Sequence, residues 1–479
     1  MEHDADTLYR AYTTRDARFD GRVFAGVRTT GIYCRPVCPA RMPKRENMTF
    51  FPTAAAAQAA GYRPCLRCRP ESAPDFAGWR GTSPVVHRAL ALIEDGWLED
   101  RDIDGLAGEV GVSDRQLRRL FREQLGATPI AVAQTRRVLL AKQLIHETDL
   151  PMADVAMASG FGSVRRFNET FQRLFDRPPA ALRRQRPTAM AAAAGIVVRL
   201  AYRPPFDWEA LLGYLARSAI PGVEHAAAGR YARTIRFGEH SGWVAVRQAS
   251  RDQLELTVHF PDLEALPRII RRVRRRLDLS ADPLAIGGQL AEDPLLAPLV
   301  AARPGLRVPG VWDGFEEAVR AIAGSDHEAL RAVVIAYGRP IDDPAAQEAG
   351  LSHAFPEPSK LTAITAEDVP PLPHSRAAAA LAAAVVARPT LLEQHRDPDL
   401  TCRQLADLEG FDDDLRTTIT ARVLEGYDTI PPDTGLLASG PDAPFASEAE
   451  LRQRARNWSP WRAYGVAYLL TDANHRADA

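Results

Sequence analysis

Four of the 5 cysteines in this 479-residue chain fall in one short stretch. Cys34 and Cys38 stand as C-x3-C in "TTGIYCRPVCPAR", and Cys65 and Cys68 as C-x2-C in "RPCLRCRP". The fifth, Cys402, is far away. Such a cluster can hold a metal, close disulfides or react, and each choice constrains the fold differently. The opening stretch "MEHDADTLYRAYTTRDARFDG" is charged and lacks the apolar core of a secretory signal. The expected compartment is the cytoplasm, where thiols stay reduced. Two close thiol pairs separated by a longer loop then read as a tetrahedral Zn2+ site, with Cys34, Cys38, Cys65 and Cys68 as ligands. Four thiolates around one divalent ion leave net negative charge, which makes a bound sulfur electron-rich and nucleophilic at neutral pH. Two readings stay open, a purely structural zinc knuckle and a reactive thiolate. Arg35, Arg41, Lys44, Arg45, Arg63, Arg67 and Arg69 surround the cysteines, the pattern of a surface that meets phosphate.

A chain of this length exceeds one compact core, so three or four domains are expected. No apolar run of about 18 residues appears, so no membrane partner is expected. The formal net charge of −1 averages unlike parts: residues 115–186 are dense in Arg, and 396–450 are rich in Asp and Glu. That asymmetry points one segment at nucleic acid. Stretches of Pro, Gly and Ser at 69–84, and of Arg, Pro and Ala at 183–198, read as linkers. After them "VVRLAY", "YARTIRF", "WVAVRQ" and "LELTVHF" alternate like strands, and from about Leu284 the pattern turns helical again. No repeat at solenoid spacing is present. The fold class is multidomain, mainly α with α+β parts. Its units are a cysteine module over 1–78, an all-helical module over 84–186, a strand-containing module over 196–300 and a helical module over 301–479.

The all-helical module holds two helix-turn-helix patterns. In "DIDGLAGEVGVSDRQLRRLFREQLGATP", 102–129, Ala107 allows close helix packing, Gly111 takes the turn, and Ser113 or Asp114 caps the second helix. In "DVAMASGFGSVRRFNETFQRLFDRPPAALRR", 154–184, Gly160 and Ser163 play the same parts. A long helix of about 130–147 joins them. Candidate contacts to bases or phosphates are Arg115, Gln116, Arg118 and Arg119 on the first recognition helix, and Arg165, Arg166 and Asn168 on the second.

Longer phrases carry resemblances. Residues 23–68, "VFAGVRTTGIYCRPVCPARMPKRENMTFFPTAAAAQAAGYRPCLRC", closely resemble the zinc-binding domain of the Ada family. That resemblance implies that Cys34 accepts a methyl group from a DNA methylphosphotriester while Cys38, Cys65 and Cys68 hold zinc with it. Of the basic residues around the cysteines, Arg35, Arg41, Arg45 and Arg67 are the candidate DNA contacts. The phrase A-x3-G-F-x-S-x3-F-x3-F resembles the twin helix-turn-helix domain of the AraC family, which implies double-stranded DNA and RNA polymerase at promoters as partners. Residues 199–224, 302–324 and 456–470 resemble the AlkA family of DNA glycosylases, over about 197–472. The implied architecture is an AlkA N-terminal mixed sheet domain followed by a helix-hairpin-helix domain. The implied activity is that of a DNA-3-methyladenine glycosylase, a hydrolase acting on alkylated DNA. The implied residues are Asp433 in "IPPDTGLL" as the catalytic carboxylate, Tyr214 as a wall of the base pocket, and Gly410 as part of the hairpin that meets a phosphate.

Departures from that family are specific. The hairpin reads "LEGFDDDLRTT", so Asp412 replaces its second glycine, and Asp412, Asp413 and Asp414 set three negative charges where a phosphate should sit. Leu470 stands where the family has a tryptophan. The main expectation is an alkylation-damage protein that scavenges methyl groups on Cys34, regulates transcription and excises bases with Asp433. The alternative is a methylation-activated regulator whose glycosylase half is inactive. The Pro-Cys-His-Arg motif of a second methyltransferase is absent, and Cys402 is expected to be a buried helix residue. Trp458 and Trp461 are expected in the core.

Overall fold

The computed structural model describes the chain apart from residues 1–3, 75–82, 95, 184–194, 251, 325, 366–371, 373, 394–395, 397, 425–427, 432–433, 435–436, 438–443 and 479. Asp433 therefore lies outside the described residues. The chain divides into two compact units. One comprises 1–202, 252–257 and 262–272, and the other 203–251, 258–261 and 273–479.

The first unit opens with α1 (Ala5–Thr13), started by Asp4, whose carboxylate accepts the Asp6 and Thr7 amides at 2.8 and 2.7 Å. A small sheet follows, which no alternation in the sequence had announced. Its strands are β1 (Phe24–Val27), β2 (Ile32–Cys34), β3 (Met48–Phe51) and β4 (Arg63–Pro64), in the order β3-β1-β2-β4. Two to four residues are too few to show a period of two. Long-range pairing makes these strands: Ala25 lies opposite Cys34, and Phe50 opposite Ala25 on the other side. Gly26 is required, because a Cβ there would sit 2.8 Å from the Tyr62 ring. The short helix α2 (Ala54–Ala59) covers the sheet.

The helical part of this unit follows the sequence reading closely. Its elements are α3 (Pro84–Glu94), α4 (Trp97–Asp100), α5 (Ile103–Glu109), α6 (Asp114–Leu125), α7 (Pro129–Glu147), α8 (Met152–Ala158) and α9 (Val164–Phe175). Ser113 caps α6 by accepting the Gln116 amide at 3.3 Å, and Ser163 caps α9 by accepting the Arg166 amide at 3.2 Å. Gly111 and Gly160 take the left-handed turns at φ +76° and +78°. Leu106, Leu117 and Phe121 on one pair, and Phe167 and Phe171 on the other, are fully buried. The strand β5 (Ile196–Ala201) ends this run.

The second unit begins with α10 (Trp208–Arg217) and an antiparallel meander of β6 (Glu224–Ala227), β7 (Arg230–Phe237) and β8 (His240–Ser250). Residues 253–257 of the strand β9 (Gln253–His259) belong to the first unit, where β9 pairs with β5. The four alternating segments of the sequence are β5, β7, β8 and β9; β6 was not foreseen. A buried ionic cluster ties the meander to the following helices. Glu224 accepts from Tyr231 at 2.5 Å, Arg276 at 3.0 Å, Arg233 at 3.2 Å and Arg320 at 2.8 Å. Burial works to raise the Glu224 carboxyl, but the guanidinium groups of Arg276, Arg320 and Arg233 hold it well below the usual range.

The hairpin helices Pro398–Ala406 and Asp413–Leu424 pack against each other, with Gly410 between them at φ +82°. A Cβ at Gly410 would lie 3.1 Å from the Ala377 backbone nitrogen, so the chain passes close there. The acidic run has a local task. Asp412 accepts the Leu415 amide at 2.7 Å as a helix cap, and Asp413 pairs with Arg416 at 2.9 Å. All three carboxylates, Asp412, Asp413 and Asp414, remain exposed at this turn, so the negative charge expected there is kept. Cys402 lies on the first hairpin helix and is half-buried rather than buried.

Trp458 is 1% exposed, as expected of a core residue, and Gly465 leaves it room, since a Cβ there would be 2.6 Å from the indole. Asp293 binds Arg454 through two bonds of 2.7 and 3.0 Å and accepts the Trp458 indole N–H at 2.8 Å. Burial works to raise the Asp293 carboxyl; the bonds from Arg454 and Trp458 outweigh it and hold the pKa down at about 2. A depressed carboxyl stabilises the fold above the unfolded pKa, near 4, and that stabilisation is lost as pH falls through the folded value. Replacing Asp293→Asn should therefore cost about 2 kcal/mol near pH 7, with the difference shrinking toward pH 2. Urea unfolding followed by circular dichroism at the two pH values checks both the size and the sign.

Candidate metal centre and nucleic-acid interface

The β2 strand ends on Cys34, the turn after it carries Cys38, and the loop after β4 carries Cys65 and Cys68. Their four sulfurs lie within 4.8 Å of one another. Cys65 and Cys68 are 5% and 7% exposed, while Cys34 and Cys38 are half-buried. Backbone amides point at three of the sulfurs. Arg67 N–H donates to Cys65 at 3.3 Å, Arg35 N–H to Cys68 at 3.4 Å, and the Ala40 amide reaches Cys38. Among the described residues no backbone amide reaches the sulfur of Cys34. The thiols control one another's protons. Contact with Cys34 lowers Cys38 to about 7 and lowers Cys65 further, while contact with Cys38, then Cys65 and Cys68, pushes Cys34 up. Protons are thus shared unevenly over four close sulfurs, and a dication at their centre would replace them all. The donor set fits a tetrahedral metal site.

Neighbouring groups hold the cluster in place. Tyr12, 5% exposed, donates its hydroxyl to the Cys34 carbonyl at 2.9 Å. Arg35, expected on a DNA-facing surface, is turned inward: it pairs with Asp20 and donates to the Cys68 carbonyl at 3.1 Å. Its role is to clasp the two cysteine loops together. Arg41 and Arg67 are exposed beside the cluster. Arg45 is half-buried, 5.5 Å from the Phe50 ring and 3.3 Å from Asp6.

On the recognition helices, Arg115, Gln116 and Arg119 of α6 and Arg165, Arg166 and Asn168 of α9 are exposed. Arg118 is half-buried and bonds Asp114 at 2.6 Å, while Arg165 bonds Glu169 at 2.8 Å. Arg119 also pairs with Glu123 at 4.0 Å, so both helices present basic faces with three of the arginines partly neutralised by their own helix. Tyr214 on α10 is 48% exposed, and Gly410 sits at the hairpin. Because Asp433 is outside the described residues, its distance from either is not part of the site's geometry.

Sequence reading missed the groups that join the cysteine module to α7. Lys142 is 0% exposed; it donates to the Cys65 carbonyl at 2.9 Å and to Glu71 at 2.5 Å. A signal was present. Lys142 shares a helical face with Val138, Ala141 and Ile145, and a lysine on an apolar face marks a buried partner.

Known families match in the same order along the chain. The metal binding domain of Ada matches residues 7–71, a helix-turn-helix domain residues 106–185, and the AlkA N-terminal domain residues 197–313. A Mycobacterium tuberculosis protein described as a probable bifunctional transcriptional activator/DNA repair enzyme AlkA is 38% identical over 99% of this chain and 98% of its own length. The chain belongs to that bifunctional family. Escherichia coli DNA-3-methyladenine glycosylase 2 is 30% identical over 56% of this chain and 95% of its own length. The Bacillus subtilis bifunctional transcriptional activator/DNA repair enzyme AdaA is 31% identical over 37% of this chain and 82% of its own. Among the described residues no helix is long and apolar enough to cross a membrane.

If the four sulfurs act as one ligand set, metal content is the direct readout. The full chain should carry one divalent ion, and Cys65→Ser or Cys68→Ser should leave it with less than about a tenth of that, since loss of one buried thiolate from a closed set removes most of its affinity. Elemental analysis of the purified variants checks this; full occupancy in both would disprove the four-sulfur site.

Proposed function

We propose that this family member repairs alkylated DNA in two ways and reports the damage to transcription. The observation that carries the first activity is the asymmetry of the sulfur cluster: Cys34 is half-buried and takes no amide bond among the described residues, whereas Cys65 and Cys68 are buried and amide-bonded. Hydrogen bonds to a thiolate spread its charge and blunt it as a nucleophile. Cys34 is therefore the sulfur best able to attack. Its Sγ approaches the methyl carbon of a methylphosphotriester, the S–C bond forms, and the C–O bond breaks with its electron pair going to the phosphate oxygen. The product is a thioether and an ordinary phosphodiester, and no proton moves. Zinc, the ion that the four sulfurs suit, would keep them deprotonated at neutral pH. Arg41 and Arg67 hold the phosphate near the cluster, and the thioether does not return its methyl, so each chain acts once.

Methylation removes one negative charge from a surface that faces phosphates, and the attraction of the module to DNA rises. The two recognition helices then carry sequence readout, through Arg115, Gln116 and Arg119 on α6 and Arg166 and Asn168 on α9. RNA polymerase is the partner that such a regulator meets at promoters.

Base excision is assigned to the second unit. A cationic alkylated purine already has a weak N-glycosidic bond, so one carboxylate, Asp433, is enough to stabilise the oxocarbenium-like transition state. The bond breaks toward the base, water adds to the sugar carbon, and a proton leaves to solvent. Tyr214 offers an aromatic face to the extruded base, and the hairpin at Gly410 offers backbone amides to a phosphate. The likeness of the second unit to a DNA-3-methyladenine glycosylase along 95% of that enzyme's length supports an active glycosylase half over an inactive one.

Two variants separate the activities. Cys34→Ser should abolish methyl transfer from methylphosphotriester DNA, read as the loss of one methyl's mass gain on the intact protein, while base release continues. Asp433→Asn should lower release of 3-methyladenine from alkylated duplex DNA by about two orders of magnitude or more, while methyl transfer continues. Transfer by the serine variant, or parental release by the asparagine variant, refutes the corresponding assignment.

A further inference from the structure

The cysteine module and the twin helix-turn-helix region share one compact unit, and the ties between them are polar and directional. Lys142 on α7 donates to Glu71 at 2.5 Å and to the Cys65 carbonyl at 2.9 Å. Glu71 also takes Arg69 at 3.1 Å, and Arg69 reaches back to Glu147, at the end of the same helix, at 2.7 Å. Near the start of α7, Thr135 donates to the Gln58 amide oxygen at 3.1 Å, and Gln58 donates to the Tyr33 hydroxyl at 3.1 Å. Thr53 donates to the Leu125 carbonyl at the end of α6 at 2.9 Å. The pair at the centre is fully enclosed, with side-chain exposures of 0% for Lys142 and 1% for Glu71.

Enclosing an ammonium and a carboxylate carries a desolvation penalty that offsets their attraction, so such a pair adds little net stability over an apolar contact. It does impose direction. Apolar side chains would let the two surfaces slide, whereas an ammonium aimed at one carbonyl and one carboxylate fits a single register. The carbonyl belongs to Cys65, a member of the sulfur cluster, so the register is referred to that centre.

We propose that Lys142 is a positioning residue that fixes the cysteine module on the twin helix-turn-helix body, so that both meet one DNA duplex as a single rigid surface. The inference rests on the reading that both parts bind DNA. Rigid docking has two consequences. Phosphate contacts of the module and of the recognition helices add up in one binding event, and the charge lost at Cys34 is felt by the whole site. A module held only by its linker would bind more or less on its own.

The test uses the full chain and a duplex selected with it from a random-sequence pool. Affinity is measured as a function of salt for the parent, Lys142→Met and Glu147→Gln. Methionine fills similar space without charge, and Glu71 keeps Arg69. The expected result for Lys142→Met is retained metal, retained methyl transfer to Cys34, about a tenfold or larger loss of affinity, and a shallower log–log salt slope by about one, the contribution of one phosphate contact. Glu147→Gln should move both quantities the same way by less. A Lys142→Met protein that keeps its metal and shows parental affinity and slope overturns the proposal. If that variant loses its metal, Glu147→Gln decides, because Glu147 bonds no cysteine: parental affinity and slope overturn the docking role, and a loss in both supports it. Failure of the parent to methylate Cys34 would count against the transfer reading alone, because the salt slope of the unmethylated chain judges docking without it.

Discussion

Four sulfurs within 4.8 Å of one another cannot all carry charge unless a cation lies among them. The first unit is arranged around that constraint. Its sheet strands are two to four residues long, too short to persist as isolated pairs. They are packed by buried side chains such as Ala25, Tyr33, Met48 and Phe50, and β2, the turn after it and the loop after β4 converge on the sulfur centre. Amides from Arg35 and Arg67, the hydroxyl of Tyr12 and the clasp of Arg35 on Asp20 are all spent on keeping the cysteine loops in place. The same arrangement leaves Cys34 half-buried and without an amide bond among the described residues. The site thus holds three sulfurs by backbone amides and, among the described residues, the fourth without one.

Buried charge recurs in both units, and in each it orients elements that apolar packing would leave free to slide. In the first, the enclosed pair of Lys142 and Glu71 ties α7 to the cysteine loops. In the second, Glu224 collects Tyr231, Arg233, Arg276 and Arg320, and Arg233 also meets Glu316 at 2.8 Å and lies 4.2 Å from the Trp312 ring. Every one of these charges has a partner, as burial requires. Neither cluster is close in sequence: Lys142 and Glu71 are 71 residues apart, and Arg233 and Glu316 are 83.

The helix-turn-helix pairs show how local signals survive folding. Serine before a helix and glycine in the turn each act within a few residues, so Ser113, Ser163, Gly111 and Gly160 could be read directly and take the roles expected. The hairpin shows the opposite. The run of Asp412 to Asp414 reads in the sequence as three charges without directions, and in the fold all three stay exposed. Folded, Asp412 turns toward the amide of Leu415 and Asp413 toward Arg416.

Thiol spacing, helix caps and the period of the long helices belong to the sequence, because each depends on residues a few positions apart. From these alone came the four-cysteine site, the paired recognition helices and the strands β5, β7, β8 and β9. The tertiary structure decided the rest: the small sheet that carries Cys34, the inward turn of Arg35, the amide bonds that mark Cys34 off from the other sulfurs, and the enclosure of Lys142. Each of these depends on groups that are distant along the chain and are brought together only when the surfaces between them close. Burial and hydrogen-bond direction, which set whether a charge binds DNA or holds the fold, do not exist until then.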